Sequence, residues 1–173
     1  MQKELALKYK NFSVLGIDPG IATTGFAILE KKEEDIKLVE FGVIKTSKGA
    51  ELGERLGILH KELDTIFSSH KIDFVAVEKI FFNSNLKTVM SVSEARGVVL
   101  LTSHMHKKRV YEYTPLEIKS AITGFGRATK FEIQHTLKAI FGLTDIPKPD
   151  DAADAIATAL CHIYSYKYLI QVR

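Results

Sequence analysis

Phe12-Ser13-Val14-Leu15-Gly16-Ile17-Asp18-Pro19-Gly20 is an apolar run that stops at a carboxylate and a Pro-Gly turn. A segment with apolar residues on both of its faces reads as a central strand covered from two sides. Asp73-Phe74-Val75-Ala76-Val77-Glu78 repeats the pattern, again ending in an acid. Between them, Gly25 to Leu29 and Val39 to Ile44 read as strands, and the polar turn Lys31-Lys32-Glu33-Glu34-Asp35 joins them as an antiparallel hairpin. Leu52, Leu56, Leu59, Leu63 and Phe67 recur at helical spacing, which predicts a helix from Glu51 to Phe67.

Further along, Leu86, Val89, Val92, Val99 and Leu100 form the stripe of a helix from about Asn85 to His106. Arg109 to Tyr113 follows as a short strand. Helices are then expected at Pro115 to Ile122, Lys130 to Phe141 and about Asp150 to Tyr168, the first opened by proline. Gly124-Phe125-Gly126-Arg127 breaks the chain between two of them. Three strands in succession, then strands alternating with helices, predict an α/β protein with a mixed, five-stranded sheet flanked by helices. One domain is expected over residues 12–168, with residues 1–11 an extension of unassigned role and 169–173 a tail.

The chain has 173 residues, 46% of them apolar and 26% charged. That size buries about 70% of the extended surface, enough for one core, and the composition excludes a disordered or collagenous chain. A single cysteine, Cys161, excludes an internal disulfide framework and a Cys-rich zinc site; it reads as a small core residue. The opening residues Met1 to Lys10 mix charges and lack the apolar core of a secretory signal. No apolar run nears the ~18 residues of a membrane span, so the expected location is the cytoplasm, with no membrane partner.

Charge is unevenly spread. Lys107 to Lys138 holds seven basic residues against three acidic, a larger surplus than the +3 of the whole chain. Ala139 to Leu160 holds Asp145, Asp150, Asp151 and Asp154 against Lys148 alone. A basic band beside an acidic knot suits a polyanion held against a metal site, or else two differently solvated surfaces.

Four acids stand out by position. Asp18 and Glu78 end apolar strands, and such ends face the ligand crevice of open α/β sheets. Asp151 and Asp154 are i and i+3 on one helix face, among alanines that allow close approach to a sheet. Taken singly, each has a plainer reading: Asp18 starts a turn, Glu78 is a solvated strand end, and Asp151 complements a helix dipole. Those readings leave Asp154 unexplained in an otherwise apolar helix. If the four converge, bound cations must offset their repulsion, and all-oxygen ligation suits Mg²⁺ or Mn²⁺. Two such ions are the machinery of in-line phosphodiester cleavage. No Ser/His/Asp order, Walker A motif or metalloprotease helix is present, and His104 and His106 read as a solvated helix end.

Gly16-Ile17-Asp18-Pro19-Gly20 with Thr24-Gly25, Val77-Glu78-Lys79-Ile80-Phe81, and Asp151-Ala152-Ala153-Asp154-Ala155 together resemble the RuvC family of Holliday-junction endonucleases. The resemblance runs in register from about Val14 to His162. It implies an RNase H-like fold, a homodimer, two divalent metals per active site (Mg²⁺, with Mn²⁺ able to substitute) and symmetrical nicking of four-way DNA junctions. It implies further that Asp18, Glu78, Asp151 and Asp154 are catalytic metal ligands, although some members carry His where Asp154 stands. By the same resemblance Phe81 stacks on bases at the crossover, and Lys119 and Lys130 meet the phosphate backbone. Gly97 falls in the helix that resembles the dimer contact, and the RuvA–RuvB branch-migration complex is the implied further partner.

The sequence therefore reads as a Mg²⁺-dependent junction-resolving nuclease of recombination and repair, leaving 5′-phosphate and 3′-hydroxyl ends. Its rivals are an actin/Hsp70-type ATPase, which needs two such subdomains where this length supplies one, and a catalytically idle junction- or RNA-binding relative.

Overall fold

A computed structural model describes residues 10–79 and 86–171. Its sheet has the order β3-β2-β1-β4-β5, with β1 at Asn11–Asp18, β2 at Thr23–Lys32, β3 at Asp35–Lys45, β4 at Phe74–Glu78 and β5 at Arg109–Tyr113. The first three strands are antiparallel, while β4 and β5 run parallel to β1. The apolar opening run is thus the central strand, with Val14, Leu15 and Ile17 fully buried.

Side-chain alternation along β1 feeds two cores. Phe12 and Val14 face one, with Ala27, Ala76 and Tyr113. Leu15 and Ile17 face the other, with Ile28, Val75 and Val77. Helices α1 (Leu52–Ser69) and α2 (Leu86–Met105) cover the second face. Helices α3 (Pro115–Thr123), α4 (Lys130–Phe141) and α5 (Asp150–Gln171) cover the first.

The hairpin differs from expectation. Lys31, Lys32 and Asp35, assigned to the turn by their polarity, pair within the strands as far as Lys32↔Asp35. Backbone pairing continues because these side chains still find partners: the Lys31 ammonium donates to the Glu33 carbonyl, and Lys32 pairs with Glu30 at 3.2 Å. A register shift beside Ile28↔Glu40 and Leu29↔Leu38 leaves Val39 as the extra residue of a bulge. At the chain's ends, β1 takes in Asn11 and α5 runs to Gln171.

Of the stripe expected on α2, Val99 is fully buried, joined by Ala95, Thr102 and Ser103, while the side chains of Leu86 and Val89 lie outside those described. The two polar members are tolerated because each is hydrogen-bonded: Thr102 meets His60 at 2.8 Å, and Ser103 donates to the Val99 carbonyl. His106 is no solvated end, since it stacks on Phe67 and meets Asp64 at 2.7 Å.

Local signals set the last three helices. Thr114 and Thr129 each form a reciprocal capping box with the glutamate three residues on. Gly124 and Gly142, at φ 74° and 61°, close α3 and α4 in the left-handed region. In α5, Ala152, Ala153, Ala155, Ala157 and Ala159 are all buried. A Cβ on Gly16 would stand only 2.7 Å from that of Ala159, so α5 lies directly on the sheet. Deeper along α5, the buried His162 accepts or donates one bond with the Tyr113 hydroxyl at 2.6 Å. Burial drives that imidazole down to about 3, so it is neutral.

Candidate active site

Parallel pairing of β1 with β4 ends at Ile17↔Val77, so the next residues, Asp18 and Glu78, emerge side by side at one sheet edge. Thr24 holds the turn after Asp18 in place, donating to the Gly20 carbonyl at 2.6 Å. The first turns of α5 overhang this edge and bring Asp151 and Asp154. Burial, then repulsion from Glu78, Asp154 and Asp151, pushes the Asp18 carboxyl up to about 8, with Lys130 acting the other way. Burial and Asp154 push Glu78 to about 7 against the pull of Lys119 and Lys130. Burial also raises Asp154, although Lys130 opposes it.

Both expected lysines come to the same place. One cleft is lined by Glu78, Lys119, Lys130 and Asp154 over a floor of Ile118, Ile133 and Ala157. The Thr129 cap fixes the start of α4, and from there the Lys130 ammonium reaches Asp154 at 3.0 Å and Asp150 at 3.3 Å. Burial alone would lower the Lys130 pKa; its two carboxylate partners raise it instead. Phe81 lies outside the described residues.

Sequence reading did not single out three exposed apolar side chains of the basic segment that supplies the cleft lysines. Phe125 is 59% exposed, Phe131 66% and Leu116 61%, beside Arg127, Lys130 and Lys119 respectively in sequence or on the same helix. The available signal was an aromatic residue next to a basic one, which is a pattern of single-strand binding surfaces.

The donor set bears on whether a metal fits. Among the described residues, no three His, Cys, Asp or Glu side chains are already gathered into a metal cage. The crevice nonetheless holds desolvated carboxylates that repel one another, with Lys130 the cation nearest Asp154. Oxygen-only ligands of surplus negative charge fit a hard divalent cation.

A family model, crossover junction endodeoxyribonuclease RuvC, matches residues 14–162. The chain belongs to the RuvC family. RuvC proteins of Finegoldia magna and Caldicellulosiruptor saccharolyticus are 48% and 50% identical to it, over 92% and 88% of this chain and 99% and 92% of theirs. A T. thermophilus RuvC solved in complex with a Holliday junction substrate superposes with a TM-score of 0.86 at 33% identity, covering 91% of this chain and 96% of that one. The expected RNase H-like, mixed α/β sheet is accordingly the fold of this RuvC chain, and divalent-metal dependence goes with the family. No helix among the described residues is long and apolar enough to cross a membrane.

Proposed function

We propose that this chain is a cytoplasmic crossover junction endodeoxyribonuclease that resolves Holliday junctions by paired, symmetrical nicks in recombination and repair. What supports the reading is Asp18 at the sheet edge beside Glu78, repelled by Asp151 and Asp154 of the overhanging helix, with two lysines lining the cleft, in a chain of this family. These four carboxylates would hold two Mg²⁺ ions, with Mn²⁺ able to substitute. Held there, the ions would supply an activated water and charge stabilisation at the leaving oxygen; the ends left, 5′-phosphate and 3′-hydroxyl, are those that the family resemblance implies.

The chain's own groups do the rest. Lys119 and Lys130 grip the phosphates flanking the cut, and Lys130 exchanges its carboxylate partners for phosphate when DNA enters. Their contacts fix register without reading sequence. Phe81 supplies a stacking surface at the crossover, and the exposed rings of Phe125 and Phe131, close to Arg127 and Lys130 in sequence, offer further ones.

Two cuts need two sites, and a second copy meets that need with two-fold symmetry. Met90, Gly97, Leu101 and Met105 form an exposed stripe on α2. A Cβ on Gly97 would meet nothing within this chain. Glycine in mid-helix costs about 1 kcal/mol relative to alanine, and close passage of a partner helix accounts for it. The RuvA–RuvB complex is the further partner in this reading.

The test is incubation with a labelled four-way junction and Mg²⁺. Paired nicks at symmetrical positions are expected. Tight binding without nicking, at any divalent metal concentration, would replace this reading with that of an idle junction-binding relative.

A further inference from the structure

Gly25 pairs directly with Asp18 across β1 and β2, and it also lies beneath the first turn of α5. A Cβ there would sit inside contact distance of the Asp151 carbonyl and only 3.1 Å from the Ala152 nitrogen. One glycine therefore touches the neighbour strand of one candidate ligand and the backbone of another. We propose that Gly25 is a positioning residue of the carboxylate cluster: its missing side chain sets how closely Asp151 approaches Asp18, and hence how tightly the site holds divalent cations. This inference rests on the metal-site reading above and adds a determinant that is not itself a ligand.

Neither side of the contact can yield easily. Both are main chain, so no flexible side chain can swing away. Strand β2 is hydrogen-bonded on both sides, to β1 and β3. One turn further along, α5 is seated again on Gly16, where a Cβ would stand 2.7 Å from Ala159 Cβ and 2.8 Å from its nitrogen. The two glycines thus form a track carrying Asp151, Ala155 and Ala159, which follow one another at i, i+4 and i+8 along a single helix face. Filling the Gly25 end would force the first turn of α5 to retreat by roughly 1.5 Å to regain ordinary van der Waals contact. Metal-ligand distances tolerate only about ±0.2 Å. The loss should therefore appear as cation affinity, before any DNA is present.

The experiment measures Mn²⁺ binding to the full chain by calorimetry, with melting temperature and circular dichroism recorded alongside. Gly25→Ala should weaken Mn²⁺ at least about tenfold, since a displacement near 1 Å at a working site can cost about 10². Leu63→Ala, a fully buried residue on the opposite face of the sheet, should lower the melting temperature and leave Mn²⁺ affinity within about twofold. Ala159→Val wedges the other end of the track and decides the matter if Gly25→Ala does not fold; it too should weaken Mn²⁺. Gly25→Ala or Ala159→Val binding as wild type, or an equal loss in Leu63→Ala, overturns the positioning role. A wild-type chain that binds no Mn²⁺ overturns the metal-site reading itself, and this inference with it.

Discussion

Asp18→Asn should stabilise the metal-free protein while removing its nicking activity. The folded chain lifts the Asp18 carboxyl from 3.8 to about 8, first by burial and then by repulsion from Glu78, Asp154 and Asp151. Between about pH 4 and pH 8 the folded state therefore holds a proton that the unfolded state has released. With more protons on the native side, stability falls as pH rises through that window. At about 1.4 kcal/mol per unit, the ceiling near pH 7.5 is about 5 kcal/mol, and side-chain relaxation reduces it to about half. Asparagine keeps the shape and carries no charge, so the variant escapes the penalty. For a chain of this size, ~2 kcal/mol moves the melting temperature by about 4–8 °C. The assay is thermal unfolding in EDTA from pH 5 to pH 8.5. The variant should melt several degrees above wild type at pH 8, and the gap should close towards pH 5. Adding Mg²⁺ should raise the wild type at pH 8 and leave the variant nearly unmoved, because a ligand stabilises only the state that binds it. A variant no more stable than wild type at pH 8, or a gap independent of pH, would refute the account of a desolvated, mutually repelling cluster.

Lys119→Ala and Lys130→Ala should each weaken junctions of any sequence and reduce the slope of log affinity against log salt by about one contact; an unchanged slope puts that lysine outside the DNA path. Phe131→Ala should leave the melting temperature unchanged, since the ring is 66% exposed. It should weaken junction binding by about 5- to 100-fold in fluorescence anisotropy if the ring stacks on a base, and parity with wild type removes it from the interface. Gly97→Leu, at a position where an added Cβ meets nothing within its own chain, tests the two-copy reading proposed above: the wild type should sediment as a dimer and the variant as a monomer without paired cutting, whereas a variant that sediments as the wild type moves the interface away from α2.

Much of the fold was legible because its central elements are buried on both faces. Phe12 to Asp18 and Phe74 to Glu78 admit no other reading, and each announces its candidate ligand by ending in an acid. Helix α4 was legible to the residue, Lys130 to Phe141, because turn residues and a following glycine bound it. What sequence could not give depends on contacts between distant segments. Lys130 and Asp154 lie 24 residues apart, and only the crossing of α4 over α5 joins them. On α2 the sequence pattern pointed to Val99, which is buried, but not to Thr102 and Ser103, which hydrogen bonds admit to the interior, while the apolar Met90, Leu101 and Met105 face outward. Pattern reading assumes that apolar means inside, and the exposed apolar stripe of α2 breaks that rule.

The least legible determinant is the one that brings the carboxylates together. Acids at strand ends and helix starts are conspicuous, but their separation is set by residues that show nothing: Gly16 and Gly25 below, Ala155 and Ala159 above. Any larger residue at these points would satisfy the apolar pattern equally well and would lift α5 off the sheet. The same close packing has a second task. It must supply the stability that the crowded charges at Asp18 and Glu78 take away, and it does so with the alanine-lined, fully buried stretch of α5 from Ala155 to Cys161. Stability and geometry are therefore not separable here. A substitution that loosens this layer weakens the fold and spoils the site together, whereas one that removes a charge strengthens the fold and spoils the site. Opposite signs in melting temperature, with a common loss of cation binding, distinguish the residues that position the cluster from the residues that compose it.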